Sequence, residues 1–125
     1  MTAQKAAIKA KKADFRLDVF IKQKDDYYVA HCLQFDLVTS NDTIDETQND
    51  IIDLCIAHIK FSYEYDNMEY LFSPAPKDVW IEYLTHATND RNRQIITRTI
   101  ELPKKSKIPA FDLPLNVQEV VCRRA

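Results

Sequence analysis

Apolar and polar residues alternate early in the chain, with Phe15, Leu17, Val19 and Ile21 on one side and Arg16, Asp18, Phe20 and Lys22 on the other. A period of two is that of a half-buried strand, which the pattern starts near Asp14. Gln23-Lys24-Asp25-Asp26 is a polar turn in which an aspartate can take a positive φ. A second strand is predicted from Tyr27 to Phe35, its Tyr27, Val29, Leu33 and Phe35 sharing one face with His31. Asp36 breaks that run. Leu37-Val38-Thr39 then reads as a short third strand, ended by Ser40-Asn41-Asp42.

The period changes at Thr43. Thr43-Ile44-Asp45-Glu46 fits a capping box, with Thr43 as helix cap and Glu46 reaching back to the cap amide. Asp42 and Asp45 put negative charge where the helix dipole favours it. Ile44, Gln48, Ile51, Ile52, Cys55, Ile59 and Tyr63 follow on one helical face, and Leu54, Ile56, Phe61 and Tyr65 widen the apolar stripe. A stripe that wide predicts two covers: the sheet on one side, a C-terminal segment or a second subunit on the other.

Tyr70 to Pro76 is a stiff apolar linker, and Pro76-Lys77-Asp78 suits the first turn of a short helix carrying Val79, Trp80, Tyr83 and Leu84. Residues 94–102 read as a strand. Pro103, Pro109 and Pro114 keep 103–115 out of any long helix, and Val117 to Val121 forms a last short strand.

Composition sharpens the picture in three ways. The 125 residues include no glycine, which excludes a Walker loop or a Rossmann fingerprint. Three scattered cysteines, Cys32, Cys55 and Cys122, make no disulfide framework and read as reduced thiols. The net charge of −2 conceals segregation: +4 over residues 1–12, −11 over 13–90 and +5 over 91–125. Basic ends on an acidic body fold back onto it or meet an acidic partner. Residues 1–12 read as a basic flexible tail. No apolar run is long enough for a membrane span and the N-terminus lacks a signal-peptide core, so the expected location is the cytoplasm.

The stretch from about 15 to 63 resembles the HicB-like domain of toxin–antitoxin systems. The resemblance rests on the opening strand Phe15-Arg16-Leu17-Asp18-Val19, an acidic turn, and the aromatic-rich strand Tyr27-Tyr28-Val29-Ala30-His31-Cys32-Leu33. It continues through the Phe35-Asp36-Leu37 corner and the Asp42-Thr43 step into a helix opening with Asp45-Glu46. It implies a β-β-β-α-β unit of reduced ribonuclease-H-like fold and a role in capping a small messenger-RNA-cleaving toxin. Asp25 or Asp26 and Asn41 stand where the family has turn glycines, as the residues that best tolerate the left-handed region. Family antitoxins often carry a DNA-binding module after this domain. Nothing after residue 85 has that pattern, so DNA binding does not carry over.

Candidate chemistry is sparse. Cys55 and His58 could share a metal with His31 or Cys32, but Cys55 sits in the apolar stripe and packing is the preferred reading. His31 and Cys32 are adjacent on a strand, point to opposite faces and cannot act as a nucleophile–base pair. Asp18 and Asp36 are the acids a metal-dependent hydrolase would use, yet no acid pair falls on one face. Lys104, Lys105 and Lys107 read as a solvated loop. Tyr63, Tyr65, Tyr70, Phe72 and Trp80, interleaved with Glu64, Asp66 and Glu69, form either an interface or a second small core, the latter being commoner.

The expectation is therefore an α+β fold: a small antiparallel three- to four-stranded sheet on one main helix, with an additional C-terminal helix and strands. Residues 13–72 would form the HicB-like core, and 73–125 an extension that packs on it or mediates dimerisation. The expected function is non-enzymatic: a homodimeric antitoxin-like domain binding a small basic toxin through Tyr63, Tyr65, Tyr70, Phe72 and Trp80. No catalytic residue, cofactor or metal is assigned. A degenerate ribonuclease-H-like hydrolase, or a weak nucleic-acid binder using the basic termini, is the alternative.

Overall fold

The computed structural model describes residues 15–123; the basic segment 1–12 lies outside them. Five strands form one sheet: β1 (Phe15–Lys24), β2 (Tyr27–Cys32), β3 (Leu37–Asn41), β4 (Arg93–Leu102) and β5 (Phe111–Cys122). Their order is β3-β2-β1-β5-β4. Among the described residues two α-helices, α1 (Ile44–Glu64) and α2 (Lys77–Ala87), complete the α+β architecture.

The sheet corrects the expectation of an antiparallel sheet with three or four strands. It has five, and it is mixed, because β5 runs parallel to β1 from Phe15↔Leu115 to Lys22↔Cys122. Parallel neighbours need a crossover, and the chain makes one through both helices and β4 before returning beside β1. Pro114 concealed half of β5. In the ladder with β4 it faces Thr99, and it lies one residue beyond the first described β1 pair, Phe15↔Leu115. A proline is tolerated where a strand has no neighbour requiring its N–H.

The alternation of β1 decides the layering. Leu17, Val19 and Ile21 face α1 and join Ile51, Ile52, Cys55 and Ile59 in the main core. Phe20, the one apolar residue on the other side, meets Leu33, Val120 and Tyr83 of α2 in a second core. Each face of the sheet thus has its own helix. The second strand stops at Cys32, short of Phe35, and its faces differ from expectation. Ala30 and Cys32 face α1, while Leu33 and Phe35 leave the strand and join different cores. The turn after Cys32 explains this: Leu33 N donates to Asp18 O (2.9 Å), and Ala75 N of the linker donates to Leu33 O (2.8 Å).

Left-handed backbone occurs at Asp36 (φ 56°), Asp66 and Ser106 among the described residues, and not at Asp25, Asp26 or Asn41. Asp36 holds the β2–β3 corner and accepts a hydrogen bond from His31 Nε2 (2.6 Å). Asn41 is an extended strand residue whose Nδ2 donates to Asp50 (2.7 Å). Asn41→Gly is accordingly expected to destabilise, by about 1 kcal/mol from backbone entropy and about as much again from the lost bond. Urea melts of the two proteins read it directly.

Thr43 caps α1, its Oγ1 accepting from Glu46 N (3.1 Å). Glu46 reaches the Thr43 hydroxyl (3.0 Å) instead of the cap amide, closing the box through side chains. In the same melts Thr43→Ala should cost about 1 kcal/mol and Glu46→Ala less. The two losses should not add, because the residues bond each other.

Glu119 of β5 is buried on the α1 side, and Gln48 Nε2 donates to both its oxygens (3.0 and 2.8 Å). Burial holds its carboxyl above the usual range, against the opposing pull of Gln48. A carboxyl raised in the folded state favours folding in its protonated form, so its stability contribution is complete below the unfolded carboxyl range and is lost as pH rises through the folded value. Glu119→Gln should therefore raise the melting temperature at neutral pH, with the gain vanishing at about pH 4. No helix among the described residues is long and apolar enough to cross a membrane.

Candidate functional site

Among the described residues, no C-terminal segment covers the outer side of α1 along most of its length. Thr47, Ile51, Ile52, Cys55, Ile59, Ser62 and Tyr63 are buried, whereas α2 lies on the far face of the sheet. Leu54 (38% exposed), Phe61 (54%) and Tyr65 (57%) remain open to solvent. Leu54 and Phe61, seven residues apart, share one helical face, and Tyr65, the C-cap residue, lies beside Phe61 with ring centres 4.6 Å apart and tilted by 40°. Asp53 and Glu64 flank them, exposed. Residues 42–69 carry eight acids and one lysine, an acidic stretch of sequence, although Lys104 and Lys105 join Lys60 and Glu64 at the end of the helix.

The five aromatics expected to form the site do not come together. Tyr63 is buried under Lys105, whose Nζ lies 4.9 Å from the ring centre, and it meets Phe111 edge-on. Tyr65 belongs to the stripe just described. Tyr70 is 72% exposed on the 3-10 turn after α1. Phe72 stacks between Phe15 (5.7 Å) and Phe35 (5.6 Å). Trp80 packs against Tyr83 in the second core. Residues proximal in sequence were dispersed by the left-handed turn at Asp66 and by the linker's passage to the other face. Leu54 and Phe61 were the missing members, and their signal was the excess width of the apolar stripe.

Lys105 is drawn inward from its loop, pairing with Asp66 and donating to the Tyr63 carbonyl. With Lys60, Tyr63, Glu64, Glu101 and Lys104 it lines a cavity of about 490 Å³ at the end of α1.

Asp18 anchors a polar network on the α2 side of the sheet. Its two oxygens accept from Tyr83 Oη (2.7 Å) and Gln34 Nε2 (2.7 Å), and Asp18 N donates to Gln34 Oε1 (2.7 Å). Gln118 Nε2 donates to Tyr83 Oη (2.9 Å). Burial and the Asp18 bond push the Tyr83 phenol up. Arg16, Gln34, Ile95, Asn116 and Gln118 line an adjoining cavity of about 320 Å³. The parallel partner of Asp18 on β5 is Gln118, an amide where a metal-binding pair would need a carboxylate. Asp36 is held separately by His31. What the arrangement does chemically is join β1, the β2–β3 corner, α2 and β5 through satisfied hydrogen bonds.

The sulfur and imidazole groups are likewise separated. Cys32 and Cys55 are buried free thiols in the main core, where a hydrogen bond between the two thiols and burial push the Cys55 thiol up. His58 Nε2 donates to Leu71 O (3.0 Å) and its ring packs against Phe35 at a tilt of 57°. Cys122 Sγ lies 3.6 Å from His86 Nε2 across the sheet and α2. Among the described residues no three His, Cys, Asp or Glu side chains converge as a metal site. No protein-family model, curated protein or solved structure matches this chain.

Proposed function

We propose that this chain is a non-enzymatic, homodimeric protein-interaction domain of HicB antitoxin type, acting in the cytoplasm, whose ligand is a small basic toxin. The observation that carries the reading is the outer face of α1: Leu54, Phe61 and Tyr65 exposed, with the exposed acids Asp53 and Glu64 beside them in sequence. Aromatic side chains beside charge are the composition of protein interfaces, and the acidic stretch steers a cationic protein toward them. The same charge repels a phosphate backbone, which weighs against direct RNA or DNA binding. The return of β5 beside β1 after a helical crossover favours the reduced ribonuclease-H-like description. The engagement of both Asp18 oxygens by Tyr83 and Gln34 favours a structural use of that acid.

The test uses the full chain and the product of the adjacent short reading frame encoding a basic protein. Calorimetric titration should give a stoichiometric complex that weakens as salt rises, since surface charge contributes. No complex at low salt, or no such neighbouring gene, contradicts the reading.

A further inference from the structure

The sheet has two edges of unequal length. β3 has five residues, but β4 has ten, paired on its inner side with β5 from Arg93↔Val120 to Leu102↔Phe111 without interruption. Among the described residues no strand pairs with the outer side of β4. Long edges are ordinarily blunted by proline, bulges or charged side chains. β4 has no proline, its register is unbroken, and it is rich in strand-favouring Ile95, Ile96, Thr97, Thr99 and Ile100. Its charges are Arg93, Arg98 and Glu101, and Arg98 Nη1 donates to Thr97 O (2.9 Å), a contact the pairing would have to displace or accommodate. Ile95 is 63% exposed on the side that α2 leaves open at this edge.

We infer that β4 is the seam of the homodimer: two copies pair their β4 strands antiparallel about a two-fold axis at Thr97, joining two five-stranded sheets into one. The inference rests on the homodimer reading above and specifies its surface. It follows from which registers the sequence tolerates. A continuous sheet keeps the α1 side of both copies together, so only residues of the same face can stand opposite. Centring the pair on Arg98 sets two guanidiniums against each other, which sheets disfavour. Centring on Ile96 or Thr99 pairs only seven residues of each β4.

Centring on Thr97 pairs nine, residues 93 to 101, and is self-complementary. Arg93 faces Glu101 at both ends, Ile95 faces Thr99 twice, and Thr97 faces its own copy. Opposite charges and β-branched pairs are the combinations that stabilise antiparallel neighbours. Arg93 also pairs with Asp90 of its own chain, which fixes its guanidinium near the strand end. Glu101 has no ion pair among the described residues.

Sedimentation equilibrium of the full chain at tens of micromolar tests this. The wild type should be a dimer. Arg93→Glu opposes two carboxylates at each end and Glu101→Arg opposes two guanidiniums, so each should weaken the dimer by about tenfold or more. An equimolar mixture of the two variants should recover wild-type affinity, because each end then joins one carboxylate to one guanidinium. Thr97→Lys places two ammonium groups at the axis, and its loss of dimer should not be rescued by either variant. Circular dichroism confirms that each variant is folded; should Arg93→Glu unfold through its Asp90 contact, Thr97→Lys still decides. Variants that dimerise like the wild type, or a mixture that does not recover, overturn the β4 seam and leave the homodimer standing. A monomeric wild type overturns the homodimer and the seam together.

Discussion

Phe61→Glu is expected to weaken binding of the basic protein partner by about thirtyfold or more, the effect of losing a ~2 kcal/mol hot spot. Phe61 sits at the centre of the exposed stripe, packed against Tyr65 and in line with Leu54. It contributes little to the fold, since more than half of its surface already faces water. The thermal midpoint should therefore hardly move. Tyr70→Glu, exposed on the turn beyond the helix, should change affinity much less. Titration calorimetry with paired thermal melts separates the two effects. An unchanged affinity for Phe61→Glu would remove the α1 face from the interface.

Tyr83→Ala is expected to cost about 3–5 kcal/mol, a large share of the stability of a domain this size. The ring is fully buried, edge-on to Phe20 and Trp80, and seats α2 on the sheet. Its hydroxyl bonds Asp18 and accepts from Gln118. Tyr83→Phe keeps the ring and removes only that hydroxyl, leaving one Asp18 oxygen without its donor, at about 1–3 kcal/mol. Denaturant melts of both variants divide packing from hydrogen bonding. A silent Tyr83→Phe would mean the network does not hold α2 in place.

Local structure was legible where one residue type had one physical reason to be there. The alternation in β1 announced a strand, and its single exception, Phe20, marked the seat of a second helix on the opposite face. Thr43 announced the start of α1 because a cap hydroxyl answers an orphan amide within three residues. Non-local choices were not legible. The sequence offered Asp25, Asp26 and Asn41 for left-handed turns, whereas the backbone turns left-handed at Asp36, where His31 bonds the corner. Leu33 continues the strand pattern, yet its carbonyl is claimed by Ala75, forty-two residues later, which turns it to the other core. Pro114 breaks a pattern but not a ladder, because its freed side faces no described neighbour.

The candidate site was half legible for the same reason. The breadth of the apolar stripe on α1 showed that one sheet could not cover it, and the uncovered remainder is the exposed face itself. The grouping of Tyr63, Tyr65, Tyr70, Phe72 and Trp80 followed sequence proximity, which chain reversals do not preserve. Only Tyr65 of the five lies on the stripe; Phe61 and Leu54 complete it.

The proposal that this chain neutralises a toxin is tested most directly by the rate at which the proposed basic toxin cleaves messenger RNA in vitro. Equimolar wild-type chain should stop cleavage, and Phe61→Glu at the same concentration should leave much of it. Cleavage undiminished by saturating wild-type chain would contradict the account.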